Sequence, residues 1–209
     1  MSGRIIRTQD DLAEGIAYLA GVDPVMRPHL ETLAPLPLRL KPEGFGQLLS
    51  AIIGQQVSVA SAAAIWRKMT EAGLDQPDAV VAAREDDLRA VGLSRQKVRY
   101  AKALAAADID YAALRDMPDA QVIKALTAVT GIGLWTAEIY LKFSLGRADA
   151  FAAGDLAIQI AAQALYDLPQ RPTEKALRQM AEPWAPWRSV AARLLWSYYH
   201  ELKQRDGIR

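Results

Sequence analysis

Apolar residues recur at helical spacing along nearly the whole chain, and no convincing run alternates apolar and polar positions. The pattern predicts an all-α fold. Residues 10–20 read as a first helix with an acidic start. Residues 21–43 hold five prolines (Pro24, Pro28, Pro35, Pro37, Pro42), so that segment is expected to be irregular or short helix. Phe45, Leu48, Leu49, Ile52 and Ile53 then mark a buried helix over 44–53. Gly54 suits the position just past its C-terminus, and Ser58 suits the N-cap of a helix over 59–72. Gln55, Gln56 and Val57 are left in a tight connecting loop. Short helices follow at about 77–83, 85–91, 94–106 and 111–115. Pro118 and Asp119 open another over 119–129, with Val122, Leu126 and Val129 on its apolar face. Gly131-Ile132-Gly133 interrupts the period, which resumes over 134–145. Asp155 precedes Leu156, Ile158, Ile160 and Ala161, which start a helix to about 166. After Pro169 and Pro172 come a helix from 173 and a last one over 189–204.

Two places in this pattern carry chemistry. Two glycines around one aliphatic residue let the backbone turn sharply and approach another surface closely. The amides that open the following helix point outward with the positive end of its dipole, which suits a phosphate. Ile132 plugs the turn into the core. Asp155 sits at a helix N-terminus, where an aspartate is ordinarily a simple cap. Capping is compatible with catalysis, because the amides hold the carboxylate in place and keep it ionised.

Composition excludes more than it assigns. Hydrophobic content is 51% and charged content 23%, as in an ordinary globular chain. No apolar run approaches the roughly 18 residues of a membrane span, and MSGRIIRTQDDLAEG lacks the apolar segment of a secretory signal. A cytoplasmic location is expected, or a nuclear one in a eukaryote. Without cysteine there is no disulfide, thiolate zinc site or iron–sulfur cluster. His29 and His200 lack metal-ligand spacing and read as surface residues. The net charge of +1 neither proves nor excludes nucleic-acid binding. Arg95, Lys97, Arg99 and Lys102 cluster, as do Arg171, Lys175, Arg178, Arg188 and Arg193; both groups read as solvated helix faces. Nothing signals an oligomer, so a monomer is expected.

L-x-x-V-x-G-I-G-x-W-T-A over 126–137, followed by D-x-F-x-x-x-D-L-x-I over 149–158, resembles the helix-hairpin-helix (HhH-GPD) DNA glycosylases. Within that superfamily it looks most like the 3-methyladenine DNA glycosylase II (AlkA-like) branch, over roughly residues 20–205. The resemblance implies two helical lobes with the active site in the interlobe cleft. Residues 42–147 would form a central domain with the hairpin at about 119–145. Residues 1–41 and 148–209 would form a discontinuous domain carrying the catalytic acid.

The resemblance also implies roles. Asp155 would face the anomeric carbon of a flipped nucleotide and stabilise an oxocarbenium-like state. A base alkylated at a ring nitrogen is already cationic and needs no strong general acid, and the sequence offers Asp155 no obvious acid partner. Asp149 is read as local structure. Trp135 stands where lyase branches hold a Schiff-base lysine, so lyase activity is not expected; its indole would stack on the base. Trp196 and Tyr140 would line the base pocket, with Ile139 at a position that is aromatic in some members. Gln56 would wedge into the gap left by the flipped base, while Gln55 and Ser58 serve structure. The backbone of Gly131, Gly133, Trp135 and Thr136 would contact phosphates, with Arg95 and Lys97 as further contacts. No cofactor is required; a structural Na⁺ or K⁺ would sit on the carbonyls of Thr130 and Ile132. The implied enzyme binds double-stranded DNA, flips alkylated purines of the 3-methyladenine or 7-methylguanine type and leaves an abasic site. The alternatives are a non-catalytic lesion-binding protein and a glycosylase for deaminated or oxidised bases.

Overall fold

Side chains written in the sequence cap the starts of five helices, at Thr8, Ser58, Ser94, Asp155 and Thr173. The computed structural model describes residues 3–205, and among them it contains twelve α-helices and two 3-10 turns. The β-pairing found among these residues is one isolated antiparallel bridge, between Ile5 and Arg147. The chain divides into two compact units, one of Lys41–Tyr140 and one of Gly3–Leu40 with residues 141–205.

The first unit holds α3 (Phe45–Gly54), α4 (Val59–Glu71), α5 (Pro77–Ala82), α6 (Glu85–Ala90), α7 (Arg95–Ala105) and α8 (Asp119–Thr127). Phe45, Leu48, Leu49, Ile52 and Ile53 form the buried face of α3, which packs on α4 and α7. Ser58 accepts from the Ser61 amide and starts α4, and Ser94 accepts from Lys97 and starts α7. Gly54 closes α3 as its last helical residue. The left-handed residue expected near that end is Gln56, at φ 56°.

The second unit holds α1 (Gln9–Val22), α2 (Arg27–Leu33), α10 (Leu156–Leu165), α11 (Glu174–Met180) and α12 (Arg188–Arg205). α9 (Leu134–Phe143) crosses the unit boundary, which falls between Tyr140 and Leu141. Residues after the boundary are tied to the chain's beginning: Ile6 N donates to Gly146 O at 2.7 Å and Ala148 N to Arg4 O at 2.9 Å. Buried Asp23 accepts from Tyr166 Oη at 2.6 Å and from Trp184 Nε1 at 2.8 Å, and so fastens the α1–α2 corner to the apolar core.

α1 approaches α12 closely at Gly15, where a Cβ would lie 2.6 Å from Val190 Cγ2 and 2.7 Å from Trp187 Cε3. Alanine at a helical glycine ordinarily gains up to about 1 kcal/mol. Here Trp187 and Val190 are buried and cannot step aside, so overpacking outweighs propensity. Gly15→Ala is expected to lose about 1–3 kcal/mol, read as a lowered melting temperature.

Candidate active site and nucleic-acid interface

The hairpin between α8 and α9 is built by its two glycines in different ways. Gly131 lies at φ 99°, and a Cβ there would fall 2.3 Å from Tyr100 Cγ. Both the backbone angle and the space therefore demand glycine. At Gly133 a Cβ would meet nothing within 4 Å, so this backbone stands open to an approaching partner. Between them Ile132 is buried at 4% exposure and donates its amide to Val129 O at 3.0 Å. The first amides of α9 lie beyond the helix's own hydrogen-bond ladder, and Leu134 and Trp135 are exposed beside them, Trp135 at 45%.

The α3–α4 loop reaches this hairpin through Gln55, whose Nε2 donates to Gly131 O at 2.9 Å. The next residue, Gln56, is exposed and held in the left-handed region, a conformation costing about 1 kcal/mol or more and often found at functional turns. Val57 and Val59 flank it, with Val59 88% exposed. Gln55, Gln56, Ser94, Gln96, Tyr100 and the hairpin glycines line a groove of about 410 Å³. An exposed polar tip with apolar shoulders beside a run of outward amides suits a nucleic-acid backbone with one strand opened.

Two expectations for this unit are corrected. Tyr140 is 2% exposed, and its hydroxyl accepts from Gly44 N at 2.8 Å. Burial raises its pKa, and it serves the start of α3 rather than a base pocket. Lys97 is not a solvated phosphate contact: its Nζ donates to Ile53 O at 2.6 Å, at the C-terminal end of α3, and burial lowers its pKa. Thr136 is buried at 5% exposure, in keeping with a role for its backbone only. Arg95 is exposed at the start of α7. The carbonyls of Thr130 and Ile132 flank the Gly131 carbonyl that Gln55 holds.

In the second unit Asp155 is the N-cap of α10, and its Oδ1 accepts from Ala157 N at 2.9 Å. The carboxylate is half-buried and its position is fixed by its own helix. Asp149 is gripped by Arg188, with Nε 2.7 Å from Oδ1 and Nη2 on Oδ2, which makes it a structural ion pair. Trp196, half-buried on α12, carries the Arg39 guanidinium 3.7 Å from its ring centroid and the His200 ring at 3.8 Å.

Two charged residues here escaped sequence reasoning. Lys142 is 5% exposed, and Arg193, expected on a solvated face, is 2% exposed. Arg193 donates to Ser189 and, at 3.1 Å, to Leu38 O, while its Nε has no hydrogen-bond partner. Burial, then Arg39, brings its pKa down to about 10. Lys142 is held well below the ammonium range, chiefly by burial, then by Arg193 and Arg39, with Asp155 acting in the opposite direction. The available signal was local: Lys142 interrupts Leu141 and Phe143, and Arg193 interrupts Ala192 and Leu194, within otherwise apolar helix faces.

Comparison with known proteins meets this geometry. Residues 49–186 match the family of the HhH-GPD superfamily base excision DNA repair protein. A DNA-3-methyladenine glycosylase 1 of Schizosaccharomyces pombe is 31% identical over 165 residues, covering 75% of this chain and 72% of that protein. A solved DNA-3-methyladenine glycosidase of Bacillus halodurans superposes with TM-score 0.81 at 31% identity, covering 96% of this chain and 94% of the other. A 3-methyladenine DNA glycosylase of S. pombe, solved with abasic DNA, gives TM-score 0.76 at 29% identity, covering 88% and 95%. The chain belongs to the HhH-GPD superfamily of base excision DNA repair proteins, and its enzyme class is the DNA glycosylase. Among the described residues no helix is long and apolar enough to cross a membrane.

The buried ammonium makes a stability prediction. Lys142→Met should raise stability at neutral pH by about 1–4 kcal/mol, because a methionine packs there without an amine that must be desolvated or discharged. The folded pKa of Lys142 lies below its ordinary 10.5. The penalty it imposes is therefore full below the folded pKa and fades as pH rises toward 10.5. Denaturant melts of both proteins from neutral to alkaline pH should show the gain shrinking with pH.

Proposed function

We propose that this protein is a monofunctional DNA glycosylase that flips alkylated purines of the 3-methyladenine or 7-methylguanine type out of duplex DNA. It hydrolyses their N-glycosidic bond and leaves an abasic site. The observation that carries this reading is Asp155: a half-buried carboxylate locked by the Ala157 amide at the head of α10, within the segment that matches the repair family. Held this way it needs no reorganisation to face a developing positive charge. As the bond between C1′ and the base nitrogen breaks, the electron pair leaves with the base and the sugar becomes oxocarbenium-like. Asp155 stabilises that charge and orients the water that adds to C1′.

The first unit would hold the duplex. Backbone amides around Gly133 and Trp135 take a phosphate at the start of α9, with Arg95 beside them. Gln56 enters the gap left by the flipped base, supported by its fixed left-handed backbone. Trp135, exposed at 45%, offers an indole face to the cationic base. The carbonyls of Thr130 and Ile132 are neutral, hard oxygen donors on a tight turn, so they would hold Na⁺ or K⁺ and add positive charge for the phosphate. With tryptophan at the hairpin position that carries a Schiff-base lysine in lyase branches, cleavage stops at the abasic site. The enzyme acts as a monomer on this reading.

The test is release of methylated bases from alkylated duplex DNA. Wild type should release them, with strand breaks appearing only after alkali. Asp155→Asn keeps a good N-cap, so its melting temperature and DNA affinity should stay near wild type. Its release rate should drop on the order of 10²–10³-fold. Equal rates for the two proteins would refute the assignment.

A further inference from the structure

The carboxylate of Asp155 is bonded to α10, but its aim also depends on the turn that leads into that helix. Asp155 N donates to Ala152 O at 3.0 Å, which closes a four-residue turn with Ala153 and Gly154 at its centre. The chain entering the turn is pinned from α11 and α12. Ser189 N donates to Ala148 O at 2.8 Å, Arg188 grips Asp149, and Arg178 Nη1 donates to Phe151 O at 3.3 Å. None of these bonds reaches the central peptide of the turn, between Ala153 and Gly154.

That peptide is the soft part of such a turn. The two common turn forms differ by a flip of the central peptide, and the flipped form needs a positive φ at the third residue. Glycine takes that angle freely, whereas a side chain opposes it. The third residue is Gly154, and it lies outside the left-handed region. The sequence therefore permits both forms, and the structure holds one. Gln159 supplies the hold: from the first turn of α10 its Nε2 reaches back and donates to Ala153 O at 2.8 Å. This carbonyl belongs to the peptide that would flip, and a flip would carry it away from the donor. A flip rotates ψ of Ala153 and φ of Gly154, and the next residue, Asp155, must take up the imperfect compensation. It also reverses a peptide dipole one residue before the carboxylate.

We propose that Gln159 is a positioning residue, which locks the Ala153–Gly154 peptide in one form and so aims Asp155; this rests on reading Asp155 as the catalytic carboxylate. Gln159 acts through the backbone and not on the reacting atoms. The lock is needed only because residue 154 is glycine. Alanine fits the held form, since a Cβ at 154 would meet Glu174 alone, with Oε2 at 3.2 Å as the far end of an exposed, flexible side chain. Alanine would also disfavour the flipped form by itself.

The experiment measures single-turnover release of 7-methylguanine from methylated duplex DNA at saturating enzyme. Wild type, Gln159→Met, Gly154→Ala and the double variant are compared. Gln159→Met should lose about 10-fold in rate, the loss expected for one hydrogen bond, while its affinity for abasic DNA stays near wild type. Gly154→Ala is the reference for the double variant. With alanine at 154 the flip is disfavoured without the lock, so Gln159→Met should then cost less than about twofold. A packing role for Gln159 would give no such rescue. An unmoved rate in Gln159→Met, the same loss with alanine at 154 as with glycine, or an inactive Gly154→Ala overturns this proposal alone. Should Gln159→Met fail to fold, Gln159→Glu has the same shape and no donor at neutral pH, and is read against the same outcomes. Wild type releasing no base, or Asp155→Asn as fast as wild type, overturns the reading of the site, and this proposal with it.

Discussion

Gln55 Nε2 donates to Gly131 O, and through that bond the loop bearing Gln56 and the glycine hairpin become one surface. Both turns are individually constrained. The hairpin has Tyr100 packed where any side chain at 131 would go, and the loop has Gln56 in the left-handed region. Neither turn alone fixes where Gln56 stands relative to Gly131 and Gly133. The side-chain amide sets that distance within one folded unit, so the two turns are placed before anything binds to them.

Much of this was legible in the sequence because it is written in residues with few alternatives. Ser58, Ser94 and Asp155 start helices where their side chains predict, and the apolar face of α3 was read residue by residue. Two glycines around Ile132 announced the hairpin. The errors concern side chains whose surroundings are non-local. Tyr140 looked like a pocket residue by its place in the motif, but its hydroxyl meets Gly44, far away in sequence. Lys97 looked like a solvated cation, but the end of α3 lies beside it. Arg193 belongs to a basic cluster in sequence only; its neighbours in space are Ser189, Leu38 and Phe143. Sequence period reports which face of a helix is buried, and a long cationic side chain on that face is easily assigned to the wrong side.

The two units divide their work by the polarity of what they expose and bury. The first exposes amides, amide side chains and isolated apolar groups, which suit a polyanion and a displaced base. The second buries more charged residues, although Lys97 is also buried in the first. Asp23 spends its carboxylate on two aromatic hydrogen bonds, Asp149 on Arg188, and Asp155 in part on its own helix. Lys142 and Arg193 have no comparable acidic grip in the hydrogen bonds described. Proteins keep such costly groups where function gains from the field they create.

The short tie between Ile6 and Gly146, with its neighbour between Arg4 and Ala148, also orders events during synthesis. A ribosome delivers the chain from its N-terminus, and domains generally fold as units while it does so. Residues 41–140 emerge as one uninterrupted stretch and can close their core at once. Residues 3–40 emerge earlier, yet α1 and α2 pack on α12, which follows them by well over a hundred residues. α1 and α2 therefore wait for α12 to reach their final neighbours. Until then their apolar faces, including Leu12, Leu19 and Leu30, lack part of the core that buries them in the folded chain.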